Sequence, residues 1–307
     1  LAANTTGTQN VALGYNALGA NTTTGNLTAV GYNAGAVATG NGLVAIGANC
    51  LDEHTTGLWV TGCGSGALGK STTGSNNTGF GEAAMRGLTT GSYNTAVGYS
   101  AGVAVTTGIQ NTLIGGLAGD AITTGNENTA VGYQALSATT TGAKNTAIGY
   151  TALDVNTEGE FNTAVGRNAL GGNTTADGNV AVGNNAMLAN TTGTDNVAVG
   201  TAALDANTTA SSNTAVGKSS LSANTTGTSN TAVGASSLAA NTTANNNNAF
   251  GYQALLTNTT GTLNTAFGGV ALKLNTTGAR NTAIGTFTLD ANTTGGNNTS
   301  VGNASMS

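Results

Sequence analysis

Glycine recurs in this chain at 14, 31, 47, 64, 81, 98, 115, 132, 149, 166, 183, 200, 217, 234, 251, 268, 285 and 302, and every step is 17 residues except the 16 between Gly31 and Gly47. A fixed period of this kind restricts the chain to a stack of equivalent units, each contacting its neighbours. Numbering that glycine position 5, the consensus unit reads N-T-A-V-G-x-x-A-L-x-A-N-T-T-G-x-x, and 18 copies account for essentially all of residues 1–307. One repeat domain with no linker is expected. The apolar spacing does not follow a 3.6 period, and Thr, Asn and Gly are poor helix formers, so each unit is read as one turn of a β-solenoid.

Comparing the copies assigns a task to each position. Position 4 is always apolar, Val in nine coils, and position 9 is Leu in twelve, so these two columns are expected to form the core. Position 2 is Thr or Val everywhere except Asn248, which fits an inward neighbour of position 4 on a strand of period two. A bend at the position-5 glycine then turns position 6 outward. A second short strand is expected over the A-L pair, with N-T-T-G as the return and the position-15 glycine in a backbone conformation that other residues resist. Asn at position 12 fills nine successive coils, Asn156, Asn173, Asn190, Asn207, Asn224, Asn241, Asn258, Asn275 and Asn292, and is read as a structural amide ladder along the axis. At about 4.8 Å per coil, 18 coils predict a rod of roughly 86 Å. Ala at positions 3 and 8 lies off the expected core columns, and these small apolar columns predict close packing on a second chain, with a homotrimer favoured.

Composition narrows the class. Gly, Thr, Ala and Asn number 49, 58, 51 and 41, about two-thirds of the chain, while charged residues are 6%, aromatics 4% and proline is absent. That alphabet argues against an enzyme with a compact core. Seven Lys plus Arg and a net charge of −5 supply no basic stripe for nucleic acid, and no apolar run approaches the roughly 18 residues of a membrane span. Starting at Leu1 without a leader-like stretch, the chain reads as a processed or partial polypeptide.

The motif Asn128-Thr129-Ala130-Val131-Gly132-Tyr133-Gln134-Ala135-Leu136 resembles the YadA-like head repeats of trimeric autotransporter adhesins, and still more the N-T-A-V-G-Y-x-A-L-x-x-N-T-T-G arrays of phage tail-fibre proteins. The resemblance extends over almost all 18 coils. It implies a left-handed parallel β-roll in a homotrimeric fibre, an extracellular place on a virion or cell surface, and attachment to a host surface. The 17-residue coil is longer than the usual adhesin head repeat.

Chemistry finds little footing. Cys50 and Cys63 stand at positions 8 and 4 of adjacent coils, in different columns, and read as small apolar substitutions rather than a disulfide or metal pair. His54 takes the ladder position near Asp52 and Glu53 and is read as a substituted ladder residue; no metal or cofactor is expected. Asp52, Asp120, Asp154, Asp205 and Asp290 share position 10 and read as a solvated face. Gly64 through Ser71 has P-loop spacing, but Gly64 and Leu68 belong to repeat columns and Thr72-Thr73-Gly74 follows where a phosphate-binding helix should open. Six of seven tyrosines, Tyr15, Tyr32, Tyr99, Tyr133, Tyr150 and Tyr252, occupy position 6 and are the candidate contacts for a host glycan or receptor. The function expected is a structural and adhesive fibre without catalysis. Alternatives are a self-assembling extracellular filament built by end-to-end stacking of open coils and, less favoured, an ice-binding solenoid displaying Thr ranks from positions 13 and 14.

Overall fold

The structure, a computed structural model, describes residues 1–306. The chain forms two compact units, Leu1–Glu158 and Gly159–Ser307, and both are parallel β-solenoids of the 17-residue period. Each coil contributes one three-residue strand, from Val11–Leu13 to Thr146–Ile148 in the first unit and from Thr163–Val165 to Thr299–Val301 in the second. Successive strands pair parallel and in register, as Val180, Ala181 and Val182 do with Val197, Ala198 and Val199.

Among the described residues no second strand forms over the A-L pair. Positions 6 to 11 make a turn in which positions 7 and 9 both adopt left-handed backbone, as at Asn168 (φ 53°) and Leu170 (φ 56°). A leucine in this region costs about 1–2 kcal/mol, and the neighbouring coils compensate with hydrogen bonds. Leu51 N–H donates up the axis to Ala67 O, while Ala83 N–H donates down it to Ser65 O. Coil-to-coil bonding therefore continues around the turn, and the whole ring stacks rather than the sheet alone.

The position-5 glycine is required twice. Gly200 sits at φ 137°, and a Cβ there would lie 2.6 Å from the carbonyl oxygen of Gly217 in the next coil. The position-15 glycine differs from expectation. Its φ is ordinary at Gly74, where a Cβ would instead strike the Gly91 carbonyl oxygen, so axial closeness selects it, although Ala176, Ala210 and Ala244 also fill the column. The left-handed residue of this corner is position 17, as at Trp59 and Tyr93.

The strand is inverted relative to expectation. Position 3 points inward and is buried from Ala29 to Ala283, whereas positions 2 and 4 on either side face outward, half-buried or exposed. Ala at position 8 is buried as well, so the alanine columns are the chain's own core and not a surface awaiting a partner. The reason is dimensional: position 3 faces positions 8 and 9 at close range, a Cβ on Gly79 lying 3.0 Å from Leu68 Cγ, which leaves no room for Val. Position 9 is inside, as expected.

At two places where the core departs from consensus, one column takes up the volume another gives up. A Cβ on Gly62 at position 3 would lie 2.5 Å from the Cys50 sulfur, so the larger Cys at position 8 fills the space the missing alanine methyl leaves. Gly102 and Gly119 replace the core leucine in adjacent coils. Leu113, at position 3 between them, places one methyl 2.6 Å from a Cβ on Gly102 and the other 2.8 Å from a Cβ on Gly119. One leucine thus fills two vacancies, as a close-packed interior demands.

Candidate functional site

Two features of the repeat present functional side chains: the polar ladders inside each unit and the columns displayed outside.

The position-12 asparagines are buried from Asn156 to Asn275, and Asn292 is half-buried. Asn190 Nδ2 donates to Asn173 Oδ1 at 3.0 Å, Asn207 to Asn190 at 2.8 Å, Asn224 to Asn207 at 3.1 Å, Asn241 to Asn224 at 2.8 Å and Asn258 to Asn241 at 3.2 Å, with Asn275 and Asn292 continuing the series. In the first unit Asn156 donates to the hydroxyl of Thr139. A second ladder, unread in the sequence, runs through position 1. Asn213 Oδ1 accepts the Asn230 backbone N–H at 3.0 Å, and Asn213 Nδ2 donates to Gly227 O at 2.9 Å. Asn224 Nδ2 donates to that same carbonyl at 2.9 Å, so the position-15 oxygen ties the two ladders within a coil. The near-invariance of Asn at position 1 was its signal.

His54 keeps this pattern. Its Nε2 lies 3.0 Å from Gly57 O, in the place of an asparagine Nδ2, and its Nδ1 lies 3.1 Å from Ser71 Oγ. Because a carbonyl only accepts, Nε2 carries the proton and Nδ1 accepts from the serine hydroxyl. Burial lowers its pKa below the ordinary histidine value, partly offset by the Gly57 bond. Burial likewise pushes the Cys50 thiol up to about 12. Cys63, expected in the core, is half-buried in the outward column, and both thiols are free. Among the described residues no group of three or more His, Cys, Asp and Glu is placed to hold a metal ion.

The position-10 aspartates are less solvated than expected. All five are half-buried, and burial raises the carboxyls of Asp52, Asp120, Asp154 and Asp205. One oxygen of Asp120 and one of Asp290 are buried without a hydrogen-bond partner.

The tyrosine column lies outside, its members 49% to 75% exposed. Tyr15 and Tyr32 stack with centroids 5.5 Å apart and planes at 12°, and Tyr133 and Tyr150 stack at 5.8 Å and 17°. These pairs turn their faces to each other along the axis and their edges and hydroxyls to solvent. Tyr252 stands between Ala235 and Gly269 in the column, and its ring has no aromatic neighbour there. For a sugar ring that seeks a face, Tyr252, and Tyr99 between Glu82 and Gly116, are the better platforms; the stacked pairs offer edges.

Of the two threonine ranks, position 13 is half-buried and spends its hydroxyl on the next coil, as Thr55 Oγ1 does on Thr72 O at 2.9 Å, while position 14 is exposed. The most regular display is the outer face of each sheet, where Thr or Val of position 2 stands beside the apolar residue of position 4 in coil after coil. Ile46, Phe80, Ile114, Ile148, Phe267 and Ile284 of this face are more than a third exposed.

No known family model matches the chain, and no curated protein matches it.

Proposed function

We propose that the chain is a structural and adhesive fibre module, without catalysis, that associates with copies of itself and meets a host or cell surface through its outward columns. The observation that carries this reading is the outer sheet face. An apolar side chain recurs on every coil of it, although the inward position of the strand holds little more than alanine. A repeated exposed apolar column of this size is characteristic of an association surface. It takes the place of the alanine columns as the interface of the homotrimer, the arrangement the repeat's likeness to adhesin heads and tail-fibre arrays favours. That likeness also suggests a virion or cell-surface location, with Tyr15, Tyr32, Tyr99, Tyr133, Tyr150 and Tyr252 as contacts for a glycan or receptor.

Light scattering on the 29.5 kDa chain at micromolar concentration tests the association. A trimer that becomes a monomer in the Ile114→Lys/Ile148→Lys variant, with unchanged circular dichroism, supports it. A monomeric parent chain refutes it, and a mass that grows with concentration favours the end-stacked filament.

One observation favours a second reading. Thr at position 2 forms an outward rank on a regular grid, about 4.8 Å along the axis and bounded by the apolar rank two residues on, a surface suited to ordering water. Thermal hysteresis of freezing would support ice binding; freezing at the buffer's ordinary point removes it.

A further inference from the structure

The coils of Gly47, Gly64 and Gly81 carry the chain's densest charge. Asp52, Glu53, Lys70, Glu82 and Arg86 are five of its nineteen charged residues (seven Lys plus Arg and twelve Asp plus Glu), and all five line one groove of about 410 Å³. Its floor is the stretch with P-loop spacing. No helix follows that stretch, so it cannot cradle a phosphate as a P-loop does; its glycines do something else.

At position 10 the three coils read Asp52, Gly69, Arg86, and at position 7 Asn49, Gly66, Ala83. The middle coil therefore has no side chain at either place, and an acid and a base face each other across a trough two coil rises wide, about 9.6 Å. The walls lean over this floor. A Cβ on Gly69 would lie 3.2 Å from Asp52 Oδ1, and a Cβ on Gly66 would lie 3.8 Å from Arg86 Cδ. Among the described residues none of the five charged side chains is joined to another by a hydrogen bond or ion pair. Asp52 takes a bond from its own backbone N–H and feels the Arg86 charge across the trough, and the side chains otherwise face open groove.

The charge balance selects the ligand. Two cations against three carboxylates leave a formal −1, which disfavours polyphosphates and nucleic acid, while Lys70 and Arg86 disfavour a divalent cation. The lining is polar, which disfavours a lipid or an aromatic guest. What remains is a guest with one negative group for the Arg86–Lys70 side and several hydroxyls for Asp52, Glu82 and Asn49. We propose that this groove binds a carboxylated sugar, its carboxylate on Arg86 and Lys70 and its ring hydroxyls on Asp52 and Glu82. A volume of 410 Å³ lies within the range of small-molecule sites. The proposal rests on the adhesive reading and names the class of glycan that reading leaves open.

The test is titration calorimetry of the full chain with methyl galacturonoside, which carries a single carboxylate, its methyl ester and methyl galactoside. Binding of the acid alone is expected, weakened at least about tenfold by Arg86→Ala, since a charge-assisted pair is lost. Gly66→Asn is expected to do the same by displacing Arg86 and filling the trough. It should fold normally, because Asn16, Asn33 and Asn49 occupy position 7 at similar positive φ. Lys273→Ala, a position-10 cation of the second unit, is expected to change nothing. Equal binding of ester and acid, persistence of binding in Arg86→Ala or Gly66→Asn, or no heat with the parent chain each overturns the proposal. Cell adhesion measured alongside separates the two ideas: adhesion without acid-sugar binding sinks the groove alone, and acid-sugar binding without adhesion sinks the adhesive reading alone.

Discussion

Replacing Asn207 with alanine tests whether the ladder holds the second unit together. Asn207 Nδ2 donates to Asn190 Oδ1 at 2.8 Å and to Ala210 O at 3.0 Å, and Asn207 Oδ1 accepts from Asn224 Nδ2 at 3.1 Å. The three losses are unequal. Ala210 O keeps the Asn196 Nδ2 donor at 2.8 Å, and Asn224 Nδ2 keeps Gly227 O at 2.9 Å, so each of these bonds costs about 0.5–1.5 kcal/mol. Asn190 Oδ1 loses the side-chain donor from the next coil in a fully buried site, a penalty of about 1–3 kcal/mol. The sum is about 2–6 kcal/mol, with the lower half favoured because the smaller side chain lets the ring relax. Urea unfolding followed by circular dichroism measures it, with Thr209→Ala on the exposed rank as a control expected within about 0.5 kcal/mol of the parent. A loss below about 1 kcal/mol for Asn207→Ala would refute the ladder as a source of stability and leave it a consequence of stacking.

Three further outcomes follow from the core. His54 has a folded pKa below its ordinary 6.5, so the unfolded chain binds the proton first; stability should fall as pH drops below about 6.5, by up to about 1.4 kcal/mol per pH unit until the folded group titrates, and His54→Asn should remove that dependence in parallel urea melts. Leu113→Ala should cost about 3–5 kcal/mol through the double cavity, and adding Gly119→Leu, at a φ of 56° that Leu136 matches at 59°, should recover more than about 1 kcal/mol; simple additivity of the two changes would contradict the shared volume. Iodoacetamide should label Cys63 in the native protein and spare Cys50, whose thiol near 12 leaves about one molecule in ten thousand as thiolate at pH 8; peptide mapping that finds Cys50 modified first would contradict its burial.

The period, the coil and the position-12 ladder were legible because each is a column of one residue type. The inside and outside of the strand were not, because apolarity alone does not mark burial in a ring this narrow. The better sign was tolerance of size. Position 4 ranges from Cys63 to Phe80, which only an outward column allows, while position 3 is held to Ala, Gly or Ser except at Leu113, where two neighbouring leucines are missing. The Cys50–Gly62 exchange was a second sign, since two columns that trade volume must touch. The turn was illegible for another reason: Asn and Ser at position 7 suit left-handed backbone, but nothing about leucine announces it at position 9. The position-1 ladder was hidden because Asn directly before a strand is also an ordinary turn residue.

A core of one leucine, two alanines and two asparagines per coil draws much of its specificity from directed hydrogen bonds, and this explains where the molecule varies. Each ladder bond fixes the register of one coil on the next, so outward positions can change freely without loosening the stack. Coils that abandon the position-12 asparagine cluster in the first unit: His54 keeps its bonds through Gly57 O and Ser71 Oγ, whereas Leu88, Val105 and Ile122 replace them with shape, beside the paired Cys50 and Gly62 and the shared Leu113. The charged groove lies over the same stretch. Glycine on its floor leaves a ring with fewer side chains on one side. On the proposed adhesive reading, the consensus coils serve as spacing and the irregular coils of the first unit carry the charged groove.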